Sequence, residues 1–447
     1  IDWGLRGRRP KSTGPDPSLK VRLQVNREDG LLRPGEKTGV EVHVTNDGRR
    51  TVQRLRAVTR GSFFQGREFF FGRLEPGQTR SFTVDARPML WADPRAYEVT
   101  WHFFSEDGPV PGDFTGRLRI EEIDRPRFAY SWQLVDDGSG TSQGNGDGLA
   151  QVGEELDLLV TVRNIGSGPT AGLWKQEAGA GPQPKVAQEE ERPAGNEEAQ
   201  DGDKELGFIR LKNKSGEALF LTRGNDSFRL RPGQQSHHRL SLRALPGAAE
   251  QDRLELQLVV GDEEFYEVVS SDLELPLFGP SSRIEALNRV MEPAASTAVL
   301  RGGSSERQPR VANLTGPVMV TGRLGDWYRV PLPWGVSGWV EGTQIQASSG
   351  PVVATAIVPF LPNSPPVVDL KEHPGGMVVT AGSLQLSGKV VDDTAVKDLF
   401  VFVNNRKVHY ERSSAGPGEH HFSVSVELDE GENSIEIFAR DDAEHIG

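Results

Sequence analysis

One phrase occurs twice, and it restricts the fold more than any other feature of the chain. "RPGEKTGVEVHVTNDG" ends at Gly48 and "QVGEELDLLVTVRNIG" at Gly166. Gly35, Glu36, Val44, Asn46 and Gly48 therefore align with Gly153, Glu154, Val162, Asn164 and Gly166 at a constant offset of 118. A second pair, "GRLEPGQTRSFTV" and "FRLRPGQQSHHRL", aligns Leu74, Pro76, Gly77 and Gln78 with Leu230, Pro232, Gly233 and Gln234 at an offset of 156. The offsets differ by 38, so the second copy carries about that many extra residues between its phrases. Residues 175–204, "KQEAGAGPQPKVAQEEERPAGNEEAQDGDK", are the candidate insertion. Rich in Glu, Gly, Ala and Pro and without apolar period, they are expected to form a disordered acidic loop. "PGE" and "PGQ" are turn chemistry, and "V-x-V-x-N-x-G" is a strand running into an Asn/Gly turn.

The rest of the chain has the same texture. "RLELQLVV" and "FSVSVEL" alternate apolar and polar residues, the period that buries one face of a strand. Gly (51) and Pro (30) punctuate these runs, and long helical periodicity is scarce. An all-β chain is expected, and 447 residues predict two to four domains. The absence of cysteine excludes disulfides and thiol chemistry. A net charge of −13 argues against nucleic acid, which needs a basic footprint. No apolar run reaches the length of a membrane span.

Within this texture four modules and an N-terminal linker are expected. Residues 1–16, opening "IDWGLRGRRPKS", read as a linker from a preceding domain. Residues 17–122 and 126–277 resemble adhesion-related immunoglobulin-like sandwiches. Residues 284–346 resemble the bacterial Src-homology-3 domain, through Arg301, the string Gly325-Asp326-Trp327-Tyr328-Arg329-Val330 and Gly338-Trp339-Val340. That resemblance implies an aromatic groove for peptide or cell wall, with Trp327, Tyr328 and Trp334 as candidate ligand-binding residues and Trp339 as core. Beyond the Pro-rich "FLPNSPP", residues 365–447 resemble a bacterial immunoglobulin-like domain, with a hairpin turn at Asn404-Asn405. This third sandwich is expected to be truncated, since it stops soon after "IEIFARDD".

No catalytic constellation is visible. A phosphate-binding glycine loop following a strand is missing. His237-His238 and His420-His421 are adjacent on strands, where neighbours point to opposite faces, so neither pair chelates one ion easily. Asp392-Asp393 and Asp441-Asp442 sit at strand ends, where solvated turns are expected.

"DDGSGTSQGNGDGLAQVGEE", Asp136 to Glu155, holds the one metal-like spacing. A calcium loop takes oxygens at its first, third and fifth positions, glycine at the sixth and glutamate at the twelfth. Gln143, Asn145, Asp147, Gly148 and Glu154 match, and Asp136 and Asp137 stand just upstream to add charge. The neutral Gln143 predicts weak affinity, about 10⁻⁴–10⁻³ M. The competing reading is a plain turn into a strand, because the first copy keeps Asp29-Gly30 and Glu36 at the same spacing.

The whole order is sandwich, "RPRFAYSWQLVDDGSG…GNGDGLAQVGE", sandwich, barrel, sandwich. It resembles the region that follows the core in large C-terminal processing (tail-specific) serine peptidases of myxobacteria and their relatives. The resemblance covers most of the chain, and Arg125 to Glu154 is its most specific part. It implies a periplasmic or extracellular place in the cell envelope. The expected partners are an upstream peptidase domain of the same protein and a protein or peptidoglycan ligand. It carries over no catalytic residue, because that family's Ser-Lys pair lies in a core not visible here. The role expected of this chain is a non-catalytic accessory region. Two alternatives stay open: part of an active endopeptidase whose core lies upstream of residue 1, and a free-standing adhesin or cell-wall binder.

Overall fold

The structure is a computed structural model. It describes residues 18–447 except 62–63, 65, 107, 111, 178–206, 281–282, 373–378, 393, 414–417 and 432. The protein is all-β. One α-helix, Ala171–Glu177, and three short 3₁₀ turns are the helical elements among the described residues. That helix takes in 175–177, so the expected disordered insertion does not begin at Lys175; residues 178–204 of it, like the expected linker 1–16, lie outside the described residues.

Two compact units divide the chain, with the boundary between Ile123 and Asp124. The first is a sandwich. One sheet joins Leu19–Val25, Thr38–Asn46 and Thr79–Ala86. The other runs in the order Leu31–Leu32, Phe114–Ile120, Ala96–Ser105, Val52–Gly61, Glu68–Leu74. Val40, Val42 and Val44 point into its core with Phe71 and Trp101. On the opposite face of the same sheet, Lys20, Arg22 and Gln24 are exposed and Glu41 and His43 half-buried.

The second unit opens with another sandwich. Phe128–Val135, Glu155–Asn164, Gln235–Ala244 and Leu219–Arg223 form one sheet; Ala150–Gln151, Glu267–Phe278, Arg253–Asp262, Gly207–Asn213 and Asn225–Phe228 form the other. Here Glu155–Asn164 is buried on both faces. Leu156, Leu158, Val160 and Val162 fill the sandwich core. Leu159, on the other face, joins Val135 in the core of the next module. The offset of 118 puts Leu159 where the first copy has Glu41. The two copies thus differ on their outer faces, polar and wet in one and covered in the other, where Val135 and Leu159 sit among buried polar residues such as Gln133, Asp157 and Thr161.

That next module is a single sheet of eight strands. Its order is Ile345–Ala347, Glu285–Pro293, Val318–Leu324, Trp327–Pro331, Ser337–Glu341, Ala298–Arg301, Arg310–Leu314, Ile357–Pro359. One apolar cluster draws on seven of these strands before the last and on Ile357 itself, so the sheet must curl around it. The sheet runs past the expected end at 346, because Ile357–Pro359 pairs with Ala312–Leu314.

The last module packs Val367–Leu370, Ser383–Val391 and Glu419–Glu427 against Arg406–Arg412, Val396–Val403 and Ile435–Asp441. Asn404 and Asn405 have φ of 52° and 63°, the pair of left-handed residues that a two-residue hairpin of primed type requires.

The repeated phrase has a structural reason. Asn46, fully buried, donates to the carbonyls of Arg50 (2.7 Å) and Leu74 (3.0 Å) and accepts from Gly48 N–H (3.0 Å). Asn164 donates to Gly168 (2.8 Å) and Leu230 (3.2 Å) and accepts from Gly166 N–H (3.0 Å) and Arg127 N–H (3.2 Å). Leu74 and Leu230 belong to the second repeated phrase. The asparagine is therefore the pin that ties the two phrases together, and side-chain satisfaction of buried backbone groups explains why it recurs.

Candidate functional site

Three places in the second unit bring chemistry-bearing residues together: the Gly-rich loop 136–155, the aromatics of the curled sheet, and a polar cluster under the last module.

In the loop, Asp136 is buried and accepts from the backbone N–H groups of Gly146 (3.0 Å), Asp147 (3.1 Å) and Gly148 (2.9 Å). Asp147, also buried, accepts from Leu149 N–H (2.8 Å) and Gln151 Nε2 (3.0 Å). Asp29 in the first copy likewise accepts from the N–H two residues on, Leu31, at 2.9 Å. Asn145 accepts from Asp147 N–H (3.0 Å) and Glu154 from Gln151 N–H (3.2 Å). Gln143 joins only through its backbone, to Glu155 (2.7 Å), and Asp137 turns outward to accept from Ser139 N–H (3.0 Å). The oxygens that a calcium ion would use are thus largely spent on the loop itself. Among the described residues no group of three or more His, Asp or Glu is arranged to hold a metal.

The electrostatics of the loop are unusual nonetheless. Burial, with Asp147 adding repulsion, pushes Asp136 up to about 6. Burial, then Asp136 and Asp147, pushes Glu154 up to about 7. Asp157, next along the strand, goes the other way. Burial would raise it, but hydrogen bonds from Thr141, Ser241 and Arg239 outweigh that and hold it below the usual carboxylate range. The loop also docks on the curled sheet. Ser304 N–H donates to Asp147 O at 3.0 Å, and a Cβ on Gly148 (φ +74°) would lie 2.5 Å from Gly302 O. Only glycine fits both the dihedral and the space.

The aromatics do not form one groove. Tyr328 packs on the core of the curled sheet, with Arg323 over its ring at 5.5 Å. Trp334 faces the sandwich: its Nε1–H donates to Gln133 Oε1 (3.4 Å) and its ring stacks on His237 (6.1 Å, 13°). Gln133 donates in turn to Ser337 O (3.2 Å). Trp339 is buried at 1 % exposure, and Trp327 alternates to the side away from Tyr328, half-buried.

The third place was not legible in the sequence. Asp441, expected in a solvated turn, is fully buried. It accepts from both the backbone N–H and Nδ1 of His445, each at 2.7 Å. His445 Nε2 meets Ser271 Oγ at 2.7 Å. A carboxylate can only accept, so Nδ1 carries a proton; in the neutral imidazole Nε2 then accepts from the serine hydroxyl, which also lies 3.4 Å from Asn363 Oδ1. Asn363, in the Pro-rich linker, pairs with Tyr130 through both backbones (3.0 and 3.2 Å) and donates its Nδ2–H to Tyr130 O (3.1 Å). The Tyr130 hydroxyl is fully buried and reaches the same serine without a well-formed hydrogen bond. Asp392 is buried as well, accepting from Thr394 N–H and Oγ1 (both 2.8 Å); a strand-end turn explains it. The signal for the cluster was the Asp441-x-x-x-His445 spacing, but nothing local points to Ser271.

No family model and no curated protein matches the chain. Among solved structures it is similar to the crystal structure of red sea bream transglutaminase, with 11% identity over 59% of this chain and a TM-score of 0.20. The chain spans 31% of that protein. It is also similar to the crystal structure of a protein of unknown function from Porphyromonas gingivalis W83, with 12% identity over 58% of this chain and 99% of that one, at a TM-score of 0.18. Likeness at these scores carries no argument about fold or role. No helix among the described residues is long and apolar enough to cross a membrane.

Proposed function

We propose that this chain is an accessory region of a cell-envelope serine peptidase, positioning the enzyme or holding a protein or cell-wall ligand near it. The observation that supports this reading is the shared core of Val135 and Leu159 with the curled sheet, which makes one stiff platform of two modules. Stiff spacing is what a positioning region needs. The curled sheet is read as a Src-homology-3-type barrel, and Trp327 is its ligand-facing aromatic. In a sedimentation assay with purified peptidoglycan, Trp327→Ala should weaken binding about tenfold without moving the melting temperature. Trp334→Ala should lower the melting temperature instead. Equal sedimentation of wild type and Trp327→Ala would remove Trp327 from the proposal.

Calcium in the Gly-rich loop is a second reading, favoured by the mutual repulsion of the carboxylates of Asp136, Asp147 and Glu154, which a cation would relieve. The sign of the pH effect tests it. Glu154 keeps a proton in the folded protein that the unfolded chain releases, between its ordinary 4.5 and about 7. Stability therefore falls as pH rises through that window. Glu154→Gln should recover roughly 1 kcal/mol at pH 8, after solvent screening of this half-buried group, and nothing near pH 5. Millimolar calcium should raise the wild-type melting temperature at pH 8 and not that of Asp147→Asn. Identical wild-type melting curves in calcium and in chelator would leave the loop as a turn only.

A further inference from the structure

We propose that Ser271 is an activated nucleophile, with His445 as its base and Asp441 as the positioning residue, serving acyl transfer from small esters. This goes beyond the accessory role above. The geometry has the two hydrogen bonds that such chemistry requires: hydroxyl to Nε2 at 2.7 Å and Nδ1–H to carboxylate at 2.7 Å. Asp441 also accepts from the His445 backbone N–H, so the carboxylate is fixed at both oxygens and holds the ring in the tautomer that leaves Nε2 free. The Tyr130 hydroxyl beside the serine is a buried donor without a well-formed partner. It already points toward Ser271, so it is placed to donate to an oxygen received there.

A cleft of about 200 Å³ lies alongside, lined by Phe128, Val269, Pro365, Phe438 and Ile446 together with the charged Arg127 and Glu267. Val269 and Ser271 share one face of their strand, about 7 Å apart. Ile446 follows His445 directly. A space of this size, bounded by both apolar and charged side chains next to a base that is 1 % exposed, takes a short acyl chain and excludes a polypeptide. Ser271 Oγ attacks the ester carbonyl as its proton passes to Nε2, and the Tyr130 hydroxyl donates to the carbonyl oxygen. The ester C–O bond then breaks, the leaving alcohol takes the proton from Nε2, and the acyl group stays on Ser271. Water repeats the exchange and releases the acid.

The test is a fluorophosphonate probe on the folded full chain, followed by p-nitrophenyl acetate. One label per chain is expected, located to Ser271 by peptide mass. It should be lost in Ser271→Ala and His445→Ala. Asp441→Asn should lower kcat on the ester at least a hundredfold with KM unchanged, because the amide stabilises the wrong imidazole tautomer. Tyr130→Phe should lower kcat and leave labelling in place. Folded wild-type protein that takes no label would overturn the proposal, as would labelling that persists in Ser271→Ala. An Asp441→Asn variant whose only change is a lower melting temperature would overturn the role given to Asp441.

Discussion

Leu159→Asp should destabilise the second unit by about 4 kcal/mol. Two terms build that figure. The leucine loses about 2 kcal/mol of burial between sandwich and curled sheet. The new carboxylate is then buried two residues from Asp157 on the same strand face, where the opposite Arg239 is already held by Asp157, and costs about as much again. The matched change in the first copy, Glu41→Ala, should stay within about 0.5 kcal/mol, because Glu41 is half-exposed and its contact with His43 is a surface pair. Equilibrium denaturation in urea checks both. Similar small shifts for the two variants would mean that the outer face of the second sandwich is not covered.

Asn164→Ala should cost about 3 kcal/mol, and Asn46→Ala a comparable amount. Each asparagine is fully buried, and truncation orphans several buried or half-buried backbone groups. For Asn164 these are the carbonyls of Gly168 and Leu230 and the N–H groups of Gly166 and Arg127. Asn→Asp should be no milder, since it keeps the acceptor but loses both donors and buries a charge. The midpoint of urea unfolding reads the effect. A loss below about 1 kcal/mol would mean that the repeat is held by its valines, and that the asparagine is incidental.

The all-β class was legible because alternation and turn residues are local. So was the Asn/Gly corner, since the same pin serves both copies. The outer faces were legible in principle: the triplet Leu158-Leu159-Val160 breaks the alternation that Val40, Val42 and Val44 keep. What escaped the sequence is long-range. Trp334 finds Gln133 across 201 positions, and Ser271 finds His445 across 174. Ile357–Pro359 is too short and too Pro-flanked to announce a strand, although it extends the curled sheet. Asp441 looked like a solvated turn because nothing beside it shows that His445 folds back over it. The calcium-like spacing was visible, but the backbone N–H groups that occupy Asp136 were not.

The shared core of Val135 and Leu159 with the curled sheet makes the second sandwich and that sheet one body. Hydrogen exchange on the intact chain measures this directly, strand by strand. Amides of Glu155–Asn164 and of Ser337–Glu341 should open with the same free energy, and Leu159→Asp should lower both by the same amount. Amides of Ser337–Glu341 that open several kcal/mol more easily than those of Glu155–Asn164, and that ignore the substitution, would contradict it.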